Sequence, residues 1–336
     1  MKNRLAKHVR HWLAGAAWLA LCISSVNAIA AESEATVSLL FAGDIVLDGK
    51  PGKAIEQGRD PFAPFAAILQ AADIRIGNLE CVVATSGDPA DKNFTFRAHP
   101  RTLPVLKRHF DAVALANNHS GDFGRAAFAE MLGLLDREGI LKFGGGRNLR
   151  EAHAPLIVER KGIRIALLSY NEFMPRSFEA DSNAAGVAWS EDEQVVADIQ
   201  AARSVHKADL VIPIMHWGWE NETRSGPRQR QLARLMIDAG ADVIIGGHPH
   251  VRQEIERYKG RPIIYSVGNF VLDELDNPNQ AIGWVLRLQL DRQGVQSFKT
   301  SVVHIDSEGI PHPAPEASSP CWQRGQDTVA LCRNGD

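Results

Sequence analysis

The sequence predicts an α/β fold, a layered sandwich with mixed β-sheets. From Thr36 onward, short apolar runs with strand character alternate with segments of helical periodicity. Hairpin signals centred on glycine, which join antiparallel strands, follow in several places. The 336 residues are 45% hydrophobic and 23% charged, which is ample for a buried core. Because no linker divides residues 36–305, we expect one domain over residues 31–306.

The predicted elements follow in chain order. Strands are predicted at Val37–Phe41, Ile74–Leu79, Ala112–Ala116, Leu210–Met215 and Asp242–Ile245. Helices are predicted at Pro64–Ala72, Pro100–Phe110, Arg125–Glu138, Glu191–His206 and Arg228–Ala239, with Gly139 and Gly240 closing two of them. Hairpin turns are predicted at Lys161-Gly162, Lys259-Gly260 and Arg292–Gly294. This order favours parallel strands linked by helices, with antiparallel strands added by the hairpins.

Residues 1–30 have the pattern of a Sec signal peptide. Four basic residues precede an apolar run from Trp12 to Ile23, and the segment ends in Ala28-Ile29-Ala30. The run is too short to span a bilayer comfortably. We predict cleavage after Ala30 and a periplasmic or secreted protein; a retained N-terminal membrane anchor is the alternative.

The charge balance excludes some partners. The leader holds four of the 37 basic residues and no acidic one, so 33 basic residues stand against 40 acidic residues after cleavage. A negative chain of this kind argues against nucleic acid as a partner and against a polybasic membrane contact.

Residues 307–336 are predicted to be a C-terminal tail rich in Pro, Ser and Gly. Cys321 and Cys332 lie close together there, and in an oxidising compartment we expect them to form a disulfide. That bond would stabilise a C-terminal segment that has few apolar residues to bury. Cys81 follows an apolar strand pattern and is predicted to be a buried free thiol.

Five predicted strands are each followed by residues with metal-binding side chains. These residues are Asp44, Glu80, Asn117-Asn118-His119, His216 and His248-Pro249-His250. Sites in open α/β sheets form just beyond the carboxyl ends of strands, so we expect these groups at one edge. Carboxylate, amide and imidazole ligands together suit Mn²⁺, Zn²⁺ or Fe²⁺ better than Ca²⁺. The pattern predicts one or two divalent ions that activate a water or polarise an oxyanion.

Each of these residues also has an ordinary structural interpretation. Asp44 and Asn117 are compatible with turns, Glu80 with a solvated strand end, and His216 with a core histidine. The run Gly246–His250 is the exception, because two glycines permit close backbone approach and a proline stiffens the turn between two imidazoles. Taken together, the residues favour the metal site.

The motifs resemble those of the CapA-type capsule-synthesis family. They are Phe41-Ala42-Gly43-Asp44, Gly77-Asn78-Leu79-Glu80, Ala116-Asn117-Asn118-His119, His216-Trp217-Gly218 with Glu220, Gly247-His248-Pro249-His250-Val251 and Tyr265-Ser266-Val267-Gly268-Asn269-Phe270. The family is associated with poly-γ-glutamate biosynthesis and looks like a branch of the calcineurin-like metallophosphoesterases. The resemblance implies an α-β-β-α sandwich with two mixed sheets. It also implies an acidic envelope polymer or a phosphoester as substrate, and association with membrane capsule-synthesis machinery.

The resemblance further implies individual roles. Asn118, His216 and His248 would form one metal site, Asp44 and His250 would contribute to the other, Glu80 would bridge them, and His119 would stand beside the scissile bond as an acid or electrostatic stabiliser. Two positions depart from the phosphoesterase pattern. Val46 stands where a histidine is expected, which weakens the first metal site, and Glu80 replaces an aspartate.

Five residues near these motifs have open roles. Glu220 is equally compatible with a base or replacement ligand and with a solvated loop charge. Asn117, Trp217, Arg224 and Asn269 are candidates for substrate contact. Packing is the alternative for Trp217, solvation for Arg224, and loop capping is the favoured interpretation of Asn269.

Three functions fit this pattern. The first is a metal-dependent hydrolase of a phosphoester, or of a related bond in an envelope polymer. The second is a non-catalytic binder or assembly factor that holds an acidic polymer through a metal bridge. The third is a structural metal site in a scaffold protein.

Overall fold

The computed structural model describes residues 35–333, so the predicted signal peptide at residues 1–30 lies outside the described residues. The strands are β1 Val37–Ile45, β2 Ile74–Leu79, β3 Val82–Val83, β4 Arg97–Ala98, β5 Ala112–Ala114, β6 Leu141–Phe143, β7 Gly145–Gly146, β8 Leu156–Arg160, β9 Ile163–Asn171, β10 Gly186–Val187, β11 Leu210–His216, β12 Ile244–Gly247, β13 Ile255–Tyr258, β14 Arg261–Ile264, β15 Asn269–Val271, β16 Ile282–Asp291, β17 Gly294–Ile305, β18 Pro311–Pro313, β19 Ser319–Gln323 and β20 Ala330–Cys332. The helices are α1 Gly49–Glu56, α2 Ala66–Gln70, α3 Leu103–His109, α4 Gly124–Glu138, α5 Leu149–His153, α6 Asp192–Ser204 and α7 Pro227–Ala239. Short 3-10 turns lie at Ala63–Phe65, Pro100–Thr102, Arg176–Phe178 and Pro278–Ala281.

Two mixed sheets carry the fold, as predicted. The first has the order β20-β19-β17-β16-β1-β2-β5-β6, with β15 paired to β1 and β18 to β17. Its strands β1, β2, β5 and β6 are parallel, whereas β16 and β17 are antiparallel. The second has the order β13-β14-β12-β11-β9-β8. Its central strands are parallel, and an antiparallel hairpin partner closes each edge.

The sheets pack face to face, with helices on both outer faces. Along β1, Leu39 and Phe41 belong to the core between the sheets, which also contains Ile165 of β9. The alternating residues Leu40 and Ala42 belong instead to the core beneath α3 and α4. A third core joins the outer face of the second sheet to α6 and α7. Because the parallel strands are buried on both faces, their residues are apolar throughout. This continuous apolar pattern is what allows the sequence to predict them.

Proline and glycine set the helix boundaries. Helices α4 and α7 end at Gly139 and Gly240, which have positive φ values of 70° and 118° and form the predicted C-terminal caps. The helix predicted from Pro100 begins as a 3-10 turn before α3, and the segment from Pro64 likewise divides into a 3-10 turn and α2. A proline at the first turn of each segment is compatible with either kind of helix, because an N–H at that position has no partner within the helix.

The C-terminal segment is part of the first sheet, which corrects the expectation of a tail with little core. Strands β18 and β19 pair with β17, and β20 pairs with β19. Trp322 is buried in the core between the sheets, and a disulfide joins Cys321 to Cys332. Arg324 donates to both carboxylate oxygens of Asp291 at 2.8 Å. The segment therefore covers much of the outer edge of β17.

Cys81 is a buried free thiol, as predicted. Burial raises its pKa to about 12, so the reactive thiolate is scarce at neutral pH. In the part of the chain that the structure describes, no helix combines the length and hydropathy needed to cross a membrane.

Candidate metal centre

The predicted ligands meet at the carboxyl ends of strands from both sheets. In the first sheet, Asp44 of β1 lies in register with Asn78 of β2. In the second, His216 of β11 lies in register with Gly247 of β12, directly before His248. Because the two sheets face each other, these ends bring carboxylate, amide and imidazole groups to one buried edge.

Three side chains converge on the Nε2 atom of His216. It lies 2.7 Å from Oδ1 of Asn118, 3.1 Å from Nδ1 of His248 and 3.2 Å from Oε1 of Glu80. All four residues are buried. The ligand atoms of Glu80, His216 and His248 lie within 4.8 Å of one another, close enough to share one ion.

A second group forms around Glu80 and His250. Ligand atoms of Asp44, Glu80 and His250 also lie within 4.8 Å of one another. The Nδ1–H of His250 donates to Oδ1 of Asn269 at 2.8 Å, which leaves Nε2 for a ligand role. Asn269 also donates to the carbonyl of His250 at 3.2 Å. Such a partner fixes the ring of a ligating histidine, so Asn269, which is completely buried, holds His250 in position.

Unpartnered buried atoms show that these residues suit a cation. Both carboxylate oxygens of Glu80 and the Nε2 atom of His248 are buried without a hydrogen-bond partner among the described residues. His216 approaches Glu80, but not in hydrogen-bond geometry. Burying such groups unpaired is costly, and a divalent cation satisfies all three. The donor set therefore fits a metal ion.

The electrostatics of the centre agree with this fit. Burial, and next the neighbouring Asp44 carboxylate, raises the pKa of Glu80 well above its ordinary value. Burial lowers the pKa of His216 to about 4, and burial followed by the nearby His216 lowers that of His248 strongly. Burial alone would lower the pKa of His250, but Glu80 and Asp44 outweigh it and raise that pKa. The lowered pKa values keep His216 and His248 as neutral imidazoles, the form that binds a metal. A cation beside Glu80 would offset the burial and the neighbouring negative charge that raise the pKa of its carboxyl group.

The backbone is held tightly around the two histidines. His248 and His250 have positive φ values of 93° and 58°, a region that non-glycine residues seldom adopt. A Cβ on Gly246 would lie 2.0 Å from the carbonyl oxygen of Tyr265, so no other residue fits there. The glycines of this motif thus allow the chain to turn both imidazoles into the site.

A buried dyad lies beside the metal ligands. Asp122 is completely buried and lies 2.7 Å from Nδ1 of His119, whose Nδ1–H it accepts. Asp122 also accepts from the backbone N–H of Phe96 at 2.7 Å and pairs with Lys92. His119 lines the cleft that leads to the centre, as do His250 and Glu220. Burial lowers the pKa of His119, and the bond to Asp122 opposes that shift.

The structure places the remaining predicted residues differently. Trp217 is completely buried and donates to the carbonyl of Tyr265, so it packs beneath the site and cannot touch a substrate. Asn117 is buried and accepts from the backbone N–H of His119 at 3.1 Å. Arg224 is exposed and is not among the residues that line the cleft. Glu220 does face the cleft, with its carboxylate near His248 and His250.

The sequence patterns assign no role to two polar residues of the site, although Asn78 lies within one of the motifs. Asn78 donates to Oδ1 of Asp44 at 2.8 Å and lies 3.3 Å from Nδ1 of His216, so it links the two sheets. It sits inside an otherwise apolar strand. Asp122 follows His119 by three residues, a spacing that many turns share.

Comparison with known proteins gives matches over most of the chain. Residues 38–274 match the family described as "Bacterial capsule synthesis protein PGA_cap". The chain is 32% identical over 299 residues to the PGA biosynthesis protein CapA of Bacillus subtilis, covering 85% of this chain and 76% of that protein. It is 33% identical over 228 residues to a Mycobacterium tuberculosis protein named "Probable polyglutamine synthesis accessory protein", covering 64% of this chain and 60% of that one. Among solved structures, the NAD nucleotidase of Haemophilus influenzae superimposes with a TM-score of 0.49 at 12% identity, over 83% of this chain and 60% of that one.

Proposed function

Because this chain belongs to the PGA_cap family of bacterial capsule synthesis proteins, we propose that it is an exported, metal-dependent hydrolase with a phosphoesterase-like site. The observation that carries the proposal is the set of unpartnered buried atoms on Glu80 and His248. A purely structural site would not need a cleft beside it, whereas His119, His250 and Glu220 all line one.

The residues divide into two ligand groups. Glu80, Asn118, His216 and His248 would hold one ion, and Asp44 and His250 would hold a second that shares Glu80. Val46 is buried in the core beneath α3 and α4 and offers no ligand. Glu220, whose carboxylate lies within 4.8 Å of the ligand atoms of both His248 and His250, would supply the missing one. When bound, Mn²⁺, Zn²⁺ or Fe²⁺ provides Lewis acidity and activates water for attack.

His119 would carry the proton transfer. Asp122 accepts its Nδ1–H and fixes the ring, which leaves Nε2 to protonate the leaving oxygen of an ester in the cleft. Asn117 accepts the backbone N–H of His119 and so helps to hold this residue in place. Lys92 also donates to the carbonyl of Asn118, so one cation connects the dyad to a ligand-bearing loop.

A non-catalytic role is the second candidate, and the name "accessory protein" of a relative favours it. In that role the metal would bridge the protein to an acidic envelope polymer, in association with membrane-bound synthesis machinery. Export in either role rests on the predicted Sec signal peptide.

Hydrolysis of nitrophenyl phosphate mono- and diesters by protein loaded with Mn²⁺, Zn²⁺ or Fe²⁺ tests the proposal. We expect turnover by the wild type and a loss of about 100-fold in kcat for His119→Ala, with an unchanged metal content. Absence of turnover by a fully loaded wild type across these esters, together with retained polymer binding, would establish the second candidate instead.

A further inference from the structure

A second pocket lies at the edge of the sheets opposite the candidate metal centre. It is formed by the turn between β13 and β14, the turn between β16 and β17, and the end of β19 with the residues that follow it. Arg261 begins β14, which runs parallel to β12. His248 follows the other, carboxyl end of β12. The length of these strands, roughly 20 Å, therefore separates the pocket from the metal centre.

Basic side chains surround this pocket, and none of the described residues that line it is acidic. Its volume is about 200 Å³. A cavity of about 150 Å³ accommodates one benzene molecule, so a carboxylate or phosphate group fits here. The basic residues that line the pocket are Arg257, Lys259, Arg261 and Arg324.

Three of these four cations have a carboxylate partner outside the pocket. The pairs are Lys259–Asp238, Arg261–Asp242 and Arg324–Asp291. Arg203 also pairs with Asp242, so the single charge of that carboxylate is shared by two guanidinium groups. The carboxylates therefore hold the basic side chains in place without neutralising all of their charge.

Arg257 is the cation that points to a ligand. It is half-buried, and its Nη1 atom donates to the carbonyls of Gln326 and Asp327, both at 2.7 Å. Its guanidinium carbon lies 4.9 Å from the ring centroid of Trp322. Among the described residues this side chain has no carboxylate partner, and its buried Nε–H has no hydrogen-bond acceptor. The contacts thus fix the guanidinium in the pocket wall and leave its positive charge uncompensated.

We infer that this pocket is an anion-binding site, which takes a carboxylate or phosphate group between Arg257, Arg261 and Lys259. Nη2 of Arg257, and both Nε and Nη2 of Arg261, make no hydrogen bond among the described residues, so both side chains keep donors for a ligand. The fork of N–H groups on a guanidinium matches the oxygens of a carboxylate or a phosphate.

This site goes beyond the proposed hydrolase function, because binding in the pocket requires neither a metal nor turnover. An acidic ligand held there would be anchored to the protein at a distance from the metal centre. The two proposals can therefore fail independently.

Isothermal titration calorimetry of the metal-free protein with succinate and with inorganic phosphate tests the inference. We expect wild type to bind at least one of these anions and Arg257→Gln to bind it at least about fivefold more weakly, because the substitution removes the uncompensated charge. Binding to wild type should also weaken at about 0.5 M sodium chloride, since salt screens exposed charges.

Matched variants locate the binding and guard against a folding defect in Arg257→Gln. Lys259→Gln changes a side chain that is 62% exposed, so it should weaken binding at least about twofold and keep the wild-type melting temperature. Arg137→Gln, at an exposed arginine of α4, should bind the anions like wild type. Asn118→Ala, at the metal centre, should do the same.

The relative affinities identify the source of the anion. Tighter binding of succinate would assign the pocket to a carboxylate-bearing chain, and tighter binding of phosphate would assign it to a phosphorylated ligand. No binding of either probe, or equal binding by wild type, Arg257→Gln and Lys259→Gln, would overturn the inference. Binding lost in Asn118→Ala but kept in Arg257→Gln would place the anion at the metal centre and also overturn it.

Discussion

The Nε2 atom of His216 lies 2.7 Å from Oδ1 of Asn118, although the two residues are 98 positions apart. His216 ends β11 in the second sheet, and Asn118 follows β5 in the first. This contact exists only when both sheets are packed. The candidate centre therefore lies where the two sheets meet, and its ligands come together only when the whole sandwich is folded.

Removing one of the proposed ligands should weaken metal binding at the candidate centre. We expect Asn118→Ala and His248→Ala each to lower metal affinity by more than about 100-fold, because each would remove a proposed direct ligand of the ion. Elemental analysis after gel filtration measures the effect. Asn183→Ala, at an exposed loop asparagine, is the control and should keep wild-type metal content. Equal metal in all four proteins would place the ion elsewhere.

Asp122→Asn should separate positioning from metal binding. The substitution replaces the acceptor for the Nδ1–H of His119 by an amide that cannot hold the ring and pair with Lys92 as the carboxylate does. We expect kcat to fall by about 10- to 100-fold with KM and metal content nearly unchanged. A variant that loses its metal in parallel with its activity would show that Asp122 supports the ligands instead.

Gly246→Ala should disrupt the centre through the backbone. The added Cβ would lie 2.0 Å from the Tyr265 carbonyl oxygen and 2.5 Å from Nε1 of Trp217. We expect a loss of at least about 3 kcal/mol in the free energy of unfolding. Gly133→Ala is the matched control, since its Cβ meets Arg137 at 3.5 Å and it lies within α4. That control should be neutral or stabilising by up to about 1 kcal/mol in urea denaturation.

The attachment of the C-terminal strands should weaken in acid. Burial by itself raises the pKa of Asp291, but its bonds to Arg324 outweigh burial and hold the pKa below its ordinary value of 3.8. Such a carboxylate stabilises the folded chain above its ordinary pKa, and that contribution disappears as the pH falls through the lower, folded value.

Arg324→Met should therefore cost about 1 kcal/mol at neutral pH, allowing for the partial exposure of the guanidinium. The difference from wild type should close below about pH 3. Urea titrations over a pH series measure it, with Arg292→Met at an exposed ion pair as the control of little effect. A difference that persists in acid would assign the loss to packing.

The sequence predicts the strands that carry the ligands because those strands are buried on both faces. Leu39, Leu40 and Phe41 are all apolar because both sides of β1 meet a core. The polar residue that ends such a run then stands out, as Asp44 does. The same contrast identifies His216 and His248.

What the sequence does not predict depends on contacts between distant segments. Asn78 is a polar residue in the otherwise apolar strand β2, and its partner His216 lies on the other sheet. Trp217 follows a ligand directly, yet its indole turns into the core and donates to Tyr265. Strand β19 contains Pro320 and shows little alternation, and it forms because the edge of β17 is available to pair with it.

The pairing of β18 and β19 along β17 has a consequence for handling the protein. β17 spans 12 residues, and the C-terminal strands occupy its outer side at Lys299 and at Val303, among other positions. A chain truncated at residue 306 would expose a long row of free N–H and C=O groups, a ready template for another strand. Shortened versions made for crystallisation or secretion should therefore self-associate, even if every residue of the metal centre remains in place.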